Sequence, residues 1–213
     1  MIKTAVIGVG YLGRFHAQKF ASLPGSELIG VVDINPTQGQ KVSEELDVPF
    51  YLNYEDVINK VDAVSIAVPT VHHYKSAKAF LANGVHVLLE KPFAETIEEA
   101  EELAKLSNDN NVSLQIGHLE RFNPVFVEFQ KFIDQPKFIE NIRIAPFPKR
   151  GTDVDVVLDL MIHDIDLVLA AVGEFPDTVE GIGVKFITSS SDLAKARLRF
   201  PSGCIADLTA SRI

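Results

Sequence analysis

Three of the ionisable side chains in a largely apolar stretch, residues 156–169, stand out by their spacing. Asp159, His163 and Asp166 fall at i, i+4 and i+7, the spacing that places side chains on one face of a helix. Ionisable groups on a buried helix are costly unless they pair with each other or line a polar cavity. Pairing of Asp159 with His163 remains open, and we favour the cavity, in which a histidine oriented by an aspartate would be a general base.

A lysine is predicted at the carboxyl end of a buried strand. Lys91 follows the apolar run 85–89 and Glu90, and Pro92 keeps it in an extended conformation. Ligands of open α/β sheets bind outside the carboxyl ends of the strands, so the Lys91 amine is expected to face a ligand crevice. A solvated charged pair is the competing interpretation.

Two histidines follow another predicted strand, residues 63–68. His72 and His73 come directly after Pro69, Thr70 and Val71. One of the histidines could contact the same ligand, and two surface histidines would fit the pattern equally well.

A glycine pattern between the first predicted strand and the first predicted helix is typical of dinucleotide binding. Gly8, Gly10 and Gly13 fit G-x-G-x-x-G, in which the glycines allow a tight turn, close approach of a pyrophosphate and packing of helix on strand. Asp33 ends the next strand about 20 residues later, where a carboxylate accepts hydrogen bonds from an adenosine ribose and would repel a 2′-phosphate. NAD is therefore favoured over NADP; FAD, and a simple glycine turn, are the alternatives.

Together these groups could oxidise a secondary alcohol. That reaction needs a hydride acceptor, a base for the hydroxyl proton and a positive group to stabilise the developing alkoxide. NAD would be the acceptor, His163 the base oriented by Asp159, and Lys91 the positive group. No metal is expected, because no cysteine or carboxylate cluster near His163 completes a coordination set.

The elements that position these groups are predicted from the alternation of apolar and amphipathic segments. Strands are expected at residues 4–9, 27–33, 63–68, 85–90 and 112–116, and helices at 12–21, 36–46, 72–82 and 97–108. Such βαβ units predict an α/β fold with an N-terminal Rossmann-type parallel sheet over residues 1–118.

The pattern changes after residue 118. It predicts helices at 123–132 and from about 154 to 172, a Pro-Phe-Pro linker, and extended segments or strands at 138–145, 178–188, 193–200 and 204–211. We therefore expect a second, α+β domain over residues 119–213, with a partial, open antiparallel or mixed sheet.

The composition excludes several classes of protein. The 213 residues, 46% hydrophobic and 23% charged, indicate a globular chain with a sizeable core. A net charge of −9 argues against a nucleic-acid partner. The single cysteine, Cys204, favours a reducing compartment, and no apolar run is long enough to cross a membrane. We expect a cytoplasmic protein without a membrane partner.

In their order along the chain, the motifs resemble the glucose-fructose oxidoreductase, inositol dehydrogenase and MocA (Gfo/Idh/MocA) family. The resemblance spans the whole chain and rests on GVGYLG, VPTVHH, Glu90-Lys91-Pro92, GHLERFNP from Gly117 onward, and Asp159-x-x-x-His163. Within the family, GHLERFNP and the Pro-Phe-Pro segment most resemble members that act as UDP-N-acetylglucosamine 3-dehydrogenases. The resemblance implies NAD-dependent hydride transfer from a secondary alcohol of a sugar, nucleotide sugar or cyclitol.

The resemblance also implies roles for individual residues. Lys91, Asp159 and His163 would act on the substrate, Arg121 and Asn123 would contact it, and His73 would lie near the nicotinamide. The other expected cofactor contacts are Gly8, Gly10, Tyr11, Leu12, Gly13, Asp33, Ala67, Pro69, Thr70, Glu90 and Lys91. A homo-oligomer through the second-domain sheet is expected.

Two departures from the family pattern add further expectations. Met161 stands where many members have glycine, which implies a narrower pocket. Family members are usually longer, so the second domain is expected to be shortened. A non-catalytic NAD-binding regulatory or interaction protein, or a fragment of a longer dehydrogenase, are therefore the alternatives to a complete enzyme.

Overall fold

The computed structural model describes residues 1–147 and 154–213, which form two compact units, Met1–Gly117 and His118–Ile213. The strands of the first unit are β1 (Ile2–Ile7), β2 (Ser26–Val32), β3 (Phe50–Tyr51), β4 (Ala63–Ile66), β5 (His86–Leu89) and β6 (Leu114–Ile116). Its helices are α1 (Tyr11–Ser22), α2 (Pro36–Leu46), α3 (His73–Ala82) and α4 (Ile97–Asp109).

The first unit is a parallel sheet in the order β3-β2-β1-β4-β5-β6. The strand order reverses between β1 and β4, which is where open α/β sheets form a ligand crevice. The predicted Rossmann-type fold is confirmed. The two-residue strand β3 was not predicted, because Phe50–Tyr51 is too short to show a periodic pattern.

Helices cover both faces of this sheet because successive strand residues point to opposite sides. Ala5 and Ile7 of β1 belong to the core under α3 and α4. Val6, between them, belongs to the core under α1 and α2. Burying each large apolar side chain contributes about 1.5–3 kcal/mol, so the two cores fix the carboxyl ends of β1, β4 and β5 along one edge.

The second unit contains a four-stranded mixed sheet. Its strands are β7 (Phe138–Ile144), β8 (Thr178–Val184), β9 (Leu193–Arg199) and β10 (Ile205–Ser211), in the order β7-β10-β9-β8. Strands β8, β9 and β10 form an antiparallel meander, and β7 pairs with β10 in parallel. The predicted α+β layer with a mixed sheet is confirmed.

A long helix packs on one face of the second sheet. It is α6 (Ile162–Val172), and a π-helical turn (Val157–Met161) leads into it. The short helix α5 (Pro124–Gln130) contacts α6 through the Gln130 amide, which donates to the Ala170 carbonyl oxygen at 3.2 Å. Ala206, Leu208 and Ala210 of β10 are buried against this layer. The prediction of one regular helix from about residue 154 was wrong in its first turns, and Pro148 of the predicted linker lies outside the described residues.

Within residues 1–147 and 154–213, no helix combines the length and apolarity needed to cross a membrane.

Candidate functional site

The glycine turn between β1 and α1 is packed at its first and third glycines and open at its second. Gly8 has a φ of 80°, and a Cβ there would lie 2.8 Å from the Ala67 carbonyl oxygen. A Cβ on Gly13 would overlap the Gly8 carbonyl oxygen, whereas a Cβ on Gly10 would meet nothing within 4 Å. Gly8 and Gly13 are thus required for packing, and Gly10 leaves the N-terminus of α1 open to an anionic ligand.

Asp33, which follows β2, is tied to this turn by hydrogen bonds. Its Oδ2 accepts a bond of 2.9 Å from the Val9 N–H, and its Oδ1 accepts one of 2.8 Å from the Asn35 N–H. The Gln38 amide donates to the Val9 carbonyl oxygen at 2.6 Å. A carboxylate has about four acceptor positions, so Asp33 is held in place and can still accept bonds from ribose hydroxyls.

A cleft of about 450 Å³ lies at the carboxyl ends of β1, β2 and β4. Its lining includes the predicted cofactor residues Gly8, Gly10, Asp33, Ala67 and Pro69, together with Leu52, Asn53, Tyr54, Glu55, His72 and Lys75. The Tyr54 phenol is protonated at neutral pH and can donate a hydrogen bond, and burial raises its pKa further. The open Gly10, the anchored Asp33 and the mixed apolar and polar wall fit a dinucleotide.

Seven predicted cofactor residues lie outside the lining of this cleft, namely Tyr11, Leu12, Gly13, Thr70, His73, Glu90 and Lys91. Tyr11 and Leu12 are exposed on the first turn of α1. Thr70 begins the short three-ten helix Thr70–His72.

The two adjacent histidines have different surroundings. His72 lines the cleft, whereas His73 is only 1% exposed. The ring nitrogens of His73 lie 2.8 Å from the Pro92 carbonyl oxygen and 2.9 Å from the Val68 carbonyl oxygen. His73 therefore joins the loops that follow β4 and β5, and in this arrangement both nitrogens face protein carbonyls rather than a ligand.

Lys91 follows β5, and a close contact with a histidine holds its neighbour Glu90. His16 of α1 places Nε2 at 3.1 Å from Glu90 Oε1 and Nδ1 at 2.6 Å from the Ser65 hydroxyl. The Lys91 N–H donates to Glu90 Oε2 at 3.2 Å. Burial raises the pKa of the Glu90 carboxyl, but His16 and Lys91 outweigh burial and hold that pKa below its ordinary value. Glu90 is thus a buried anion beside Lys91.

His16 and Ser65 were missed in the sequence analysis. A signal was present, because His16 lies three residues after Gly13 and one before Ala17, and both of these are buried. A polar residue on the buried face of a helix needs a partner. Its partners, Ser65 and Glu90, are distant in sequence, and only the fold identifies them.

Asp159 and His163 lie where the second unit's long helix begins. Asp159 is in the π-helical turn and His163 in the first turn of α6, and both are half-buried. The Asp155 carboxylate accepts N–H bonds of 3.0 Å from Val157 and Leu158, which starts the turn. Single π-helical turns within longer helices are frequent at functional sites.

Asp166 is paired rather than directed into a cavity. Its two carboxylate oxygens accept bonds of 2.7 and 2.8 Å from the guanidinium of Arg121. For Asp166 the cavity expectation was wrong, since a partner 45 residues away in sequence satisfies its charge. Arg121, a predicted substrate contact, is half-exposed and engaged in this pair.

A second arginine pair anchors the same helix. Asp164 is 1% exposed and accepts bonds of 2.7–3.0 Å from Arg143 of β7. Asn123, the other predicted substrate contact, caps α5 by accepting a bond of 3.0 Å from the Val125 N–H, and its amide donates to Glu120. The two arginine pairs hold α6 at Asp164 and Asp166, close to His163.

Over the described ranges, 1–147 and 154–213, no group of three or more histidine, cysteine or acidic side chains is arranged to hold a metal ion.

Comparison with known proteins gives two family matches. Residues 2–118 match the "Oxidoreductase family, NAD-binding Rossmann fold" of GFO/IDH/MocA proteins, and residues 140–213 match the GFO/IDH/MocA C-terminal domain.

Individual relatives agree with these matches. UDP-N-acetylglucosamine 3-dehydrogenase of Acidithiobacillus ferrooxidans is 41% identical over 213 residues, which cover 100% of this chain and 67% of the relative. A solved structure of that enzyme superposes with a TM-score of 0.94 at 40% identity, covering 100% of this chain and 70% of the other. The NAD(+)-dependent scyllo-inositol 2-dehydrogenase of Bacillus subtilis is 27% identical, covering 99% of this chain and 67% of the relative.

The predicted family and cofactor are therefore confirmed, and the chain belongs to the GFO/IDH/MocA oxidoreductase family, whose first domain is an NAD-binding Rossmann fold.

Proposed function

We propose that this protein is an NAD-dependent dehydrogenase that oxidises a secondary hydroxyl of a sugar, nucleotide sugar or cyclitol, with UDP-N-acetylglucosamine as the first substrate to test. The observation that carries the proposal is the 41% identity, over the whole chain, to a UDP-N-acetylglucosamine 3-dehydrogenase. The more distant inositol dehydrogenase supports the broader substrate class.

The proposed reaction converts a secondary alcohol to a ketone. NAD⁺, when held in the cleft of the first unit, would supply the hydride acceptor, and the substrate would lose a hydride from carbon and a proton from the hydroxyl. The His163 imidazole takes the proton as general base, Asp159 orients that ring, and the Lys91 ammonium stabilises the developing negative charge on oxygen. Arg121 and Asn123 are proposed to contact the substrate, and Arg121 would do so while paired with Asp166.

The proposed preference for NAD over NADP rests on Asp33. Its carboxylate lies in the lining of the cleft and is fixed by two backbone N–H groups. An anion held there favours ribose hydroxyls and repels a 2′-phosphate.

Turnover with alternative alcohols tests the function. UDP-N-acetylglucosamine, free N-acetylglucosamine and myo-inositol are mixed with NAD⁺, and NADH formation is followed by fluorescence. Lys91→Ala and His163→Ala are compared with Lys19→Ala, a control at an exposed lysine on α1. Loss of a catalytic acid or base lowers kcat by roughly 10²–10⁴-fold, whereas His163→Ala, in the second unit, is expected to leave NADH binding to the first unit unchanged.

Two results would contradict the proposal. Undiminished turnover in Lys91→Ala and His163→Ala would remove both residues from the reaction. Tight NADH binding without turnover of any alcohol would favour the non-catalytic NAD-binding alternative.

We also propose a homo-oligomer formed through the second sheet, in the cytoplasm. Support comes from Phe138, Ile142 and Ile182, which are large, apolar and exposed on the face of the sheet opposite the buried Ala206 and Leu208. Cys204 is free and buried, which suits a reducing compartment. Light scattering tests the assembly, and Ile142→Lys with Ile182→Lys is expected to give monomers.

A further inference from the structure

The segment that carries Lys91 is held at both ends by histidines. On one side His16, from α1, contacts the Glu90 carboxylate at 3.1 Å. On the other side His73, from α3, lies 2.8 Å from the Pro92 carbonyl oxygen. The two histidines come from different helices and act on the residues directly before and after Lys91.

The contact on the Glu90 side is a connected chain of polar groups. Ser65 Oγ, in β4, lies 2.6 Å from His16 Nδ1, and the opposite ring nitrogen faces Glu90. Ser65 is fully buried and Glu90 is 6% exposed. A Cβ on Gly117 would lie 3.0 Å from Glu90 Oε1, so backbone packs closely against the carboxylate. Glu90 therefore has little room to turn while His16 is present.

Loss of His16 would change the surroundings of Lys91. A buried carboxylate that loses its polar partner either takes up a proton or moves toward a cation. Lys91, whose backbone N–H already donates to Glu90, is the adjacent cation. Either response would alter the charge or the position of the Lys91 amine.

The contact on the Pro92 side fixes the backbone after Lys91. His73 is only 1% exposed, and its second ring nitrogen lies 2.9 Å from the Val68 carbonyl oxygen. It therefore ties the loop after β5 to the loop after β4, which lines the cofactor cleft through Val68 and Pro69.

Resting on the dehydrogenase function proposed above, we infer that His16 and His73 are positioning residues that fix the Glu90-Lys91-Pro92 segment and thereby set the place of the Lys91 amine relative to the cofactor cleft. Neither histidine is required to touch the substrate. Both act through their neighbours, and the expected consequence is a defect in kcat rather than in substrate affinity.

The test measures Lys91 directly and needs no substrate. The amines are acetylated briefly with a small activated ester, and the rate at Lys91 is compared with that at exposed Lys19 by peptide mass spectrometry. His16→Leu and His73→Gln are expected to change the Lys91-to-Lys19 ratio by about threefold or more, in either direction. His86→Leu is the matched control, because His86 is exposed at the opposite end of β5 and is expected to leave the ratio unchanged.

Conservative variants separate positioning from general stability. His16→Gln retains a donor and an acceptor, and is expected to restore the labelling ratio of Lys91 more fully than His16→Leu. Circular dichroism and melting curves select variants that are folded at the assay temperature. If His73→Gln does not fold, His73→Asn replaces it. The two variants His16→Leu and His16→Gln test the contact with Glu90 independently of His73.

Kinetics complete the test once a substrate is known. His16→Leu is expected to lower kcat by about tenfold or more, with the KM for substrate changed by less than about threefold. An unchanged labelling ratio in a folded variant removes that histidine from the proposal. If the parent protein turns over no alcohol and the variants still change the labelling ratio, the positioning of Lys91 would stand and the dehydrogenase function would fail. A changed ratio with unchanged kcat would show that the histidines do not act on catalysis.

Discussion

Two glycines three residues apart should respond to the same substitution in different ways. Gly10 is the N-cap of α1, and a Cβ there meets nothing within 4 Å. A Cβ on Gly13 would overlap the Gly8 carbonyl oxygen, which is backbone and cannot rotate away. Gly10→Ala should therefore affect mainly what the turn binds, and Gly13→Ala mainly the packing of α1 on β1.

The expected magnitudes follow from these surroundings. Gly13→Ala forces the helix away from the turn, and overpacking of this kind costs about 1–3 kcal/mol, or roughly 4–12 °C in Tm for a unit of this size. Gly10→Ala replaces a good N-cap residue by a poor one and should cost at most about 1 kcal/mol. Because the added methyl points into the space left for a ligand, Gly10→Ala should weaken NADH binding about tenfold or more.

Thermal melting and NADH fluorescence titration measure the two effects separately. Gly84→Ala is the matched control, since Gly84 has a φ of 75° and a Cβ there would meet nothing within 4 Å. Gly84 precedes the amino-terminal end of β5, whereas the cleft lies at the carboxyl ends of the strands. It should lower Tm modestly and leave the Kd for NADH unchanged. Parental NADH affinity in Gly10→Ala would refute the assignment of this turn to the cofactor, and parental stability in Gly13→Ala would refute the packing described for α1.

Three further predictions concern single acidic or basic groups. Asp33→Ser should raise the affinity for NADPH relative to NADH by about tenfold or more, as measured by fluorescence titration, because the repelling carboxylate is gone. Arg143→Met leaves the buried Asp164 carboxylate without its arginine and should cost about 3–5 kcal/mol in urea unfolding; a loss below about 1 kcal/mol would contradict a buried, desolvated pair. Burial raises the pKa of Asp192, but backbone N–H groups outweigh it and hold the pKa well below the ordinary value. A lowered folded-state pKa gives stability that is complete above the unfolded-state pKa of about 3.9 and is lost as pH falls below it, so Asp192→Asn should flatten the loss of Tm below about pH 4.

The predicted sheet and dinucleotide turn depend on local patterns, which is why the sequence alone sufficed for them. Apolar runs alternating with amphipathic segments indicate parallel strands and covering helices. The three glycines and Asp33 each have a physical requirement that can be read from their spacing. The structure adds that Gly10 is open, and that Asp33 is already bonded to the turn.

The sequence could not predict in the same way which ionisable side chains pair with one another. The spacing of Asp166 is that of a polar stripe, yet its partner, Arg121, comes from a different element. The pairing of His16 with Glu90 joins a helix to the end of a strand that lies four strands later along the chain. Periodicity describes one element at a time and contains no information about which elements meet.

Sequence alone thus determined the class of fold, the family and the turn suited to a dinucleotide, because these follow from local periodicity and from motifs that recur in order. Only the tertiary structure decided which charges are neutralised within the protein. Burying an ion is costly unless a partner lies within a few ångströms, and that distance is set by how helices and strands pack. The packing therefore pairs Asp166 with Arg121 and Asp164 with Arg143, and it places Glu90 beside His16.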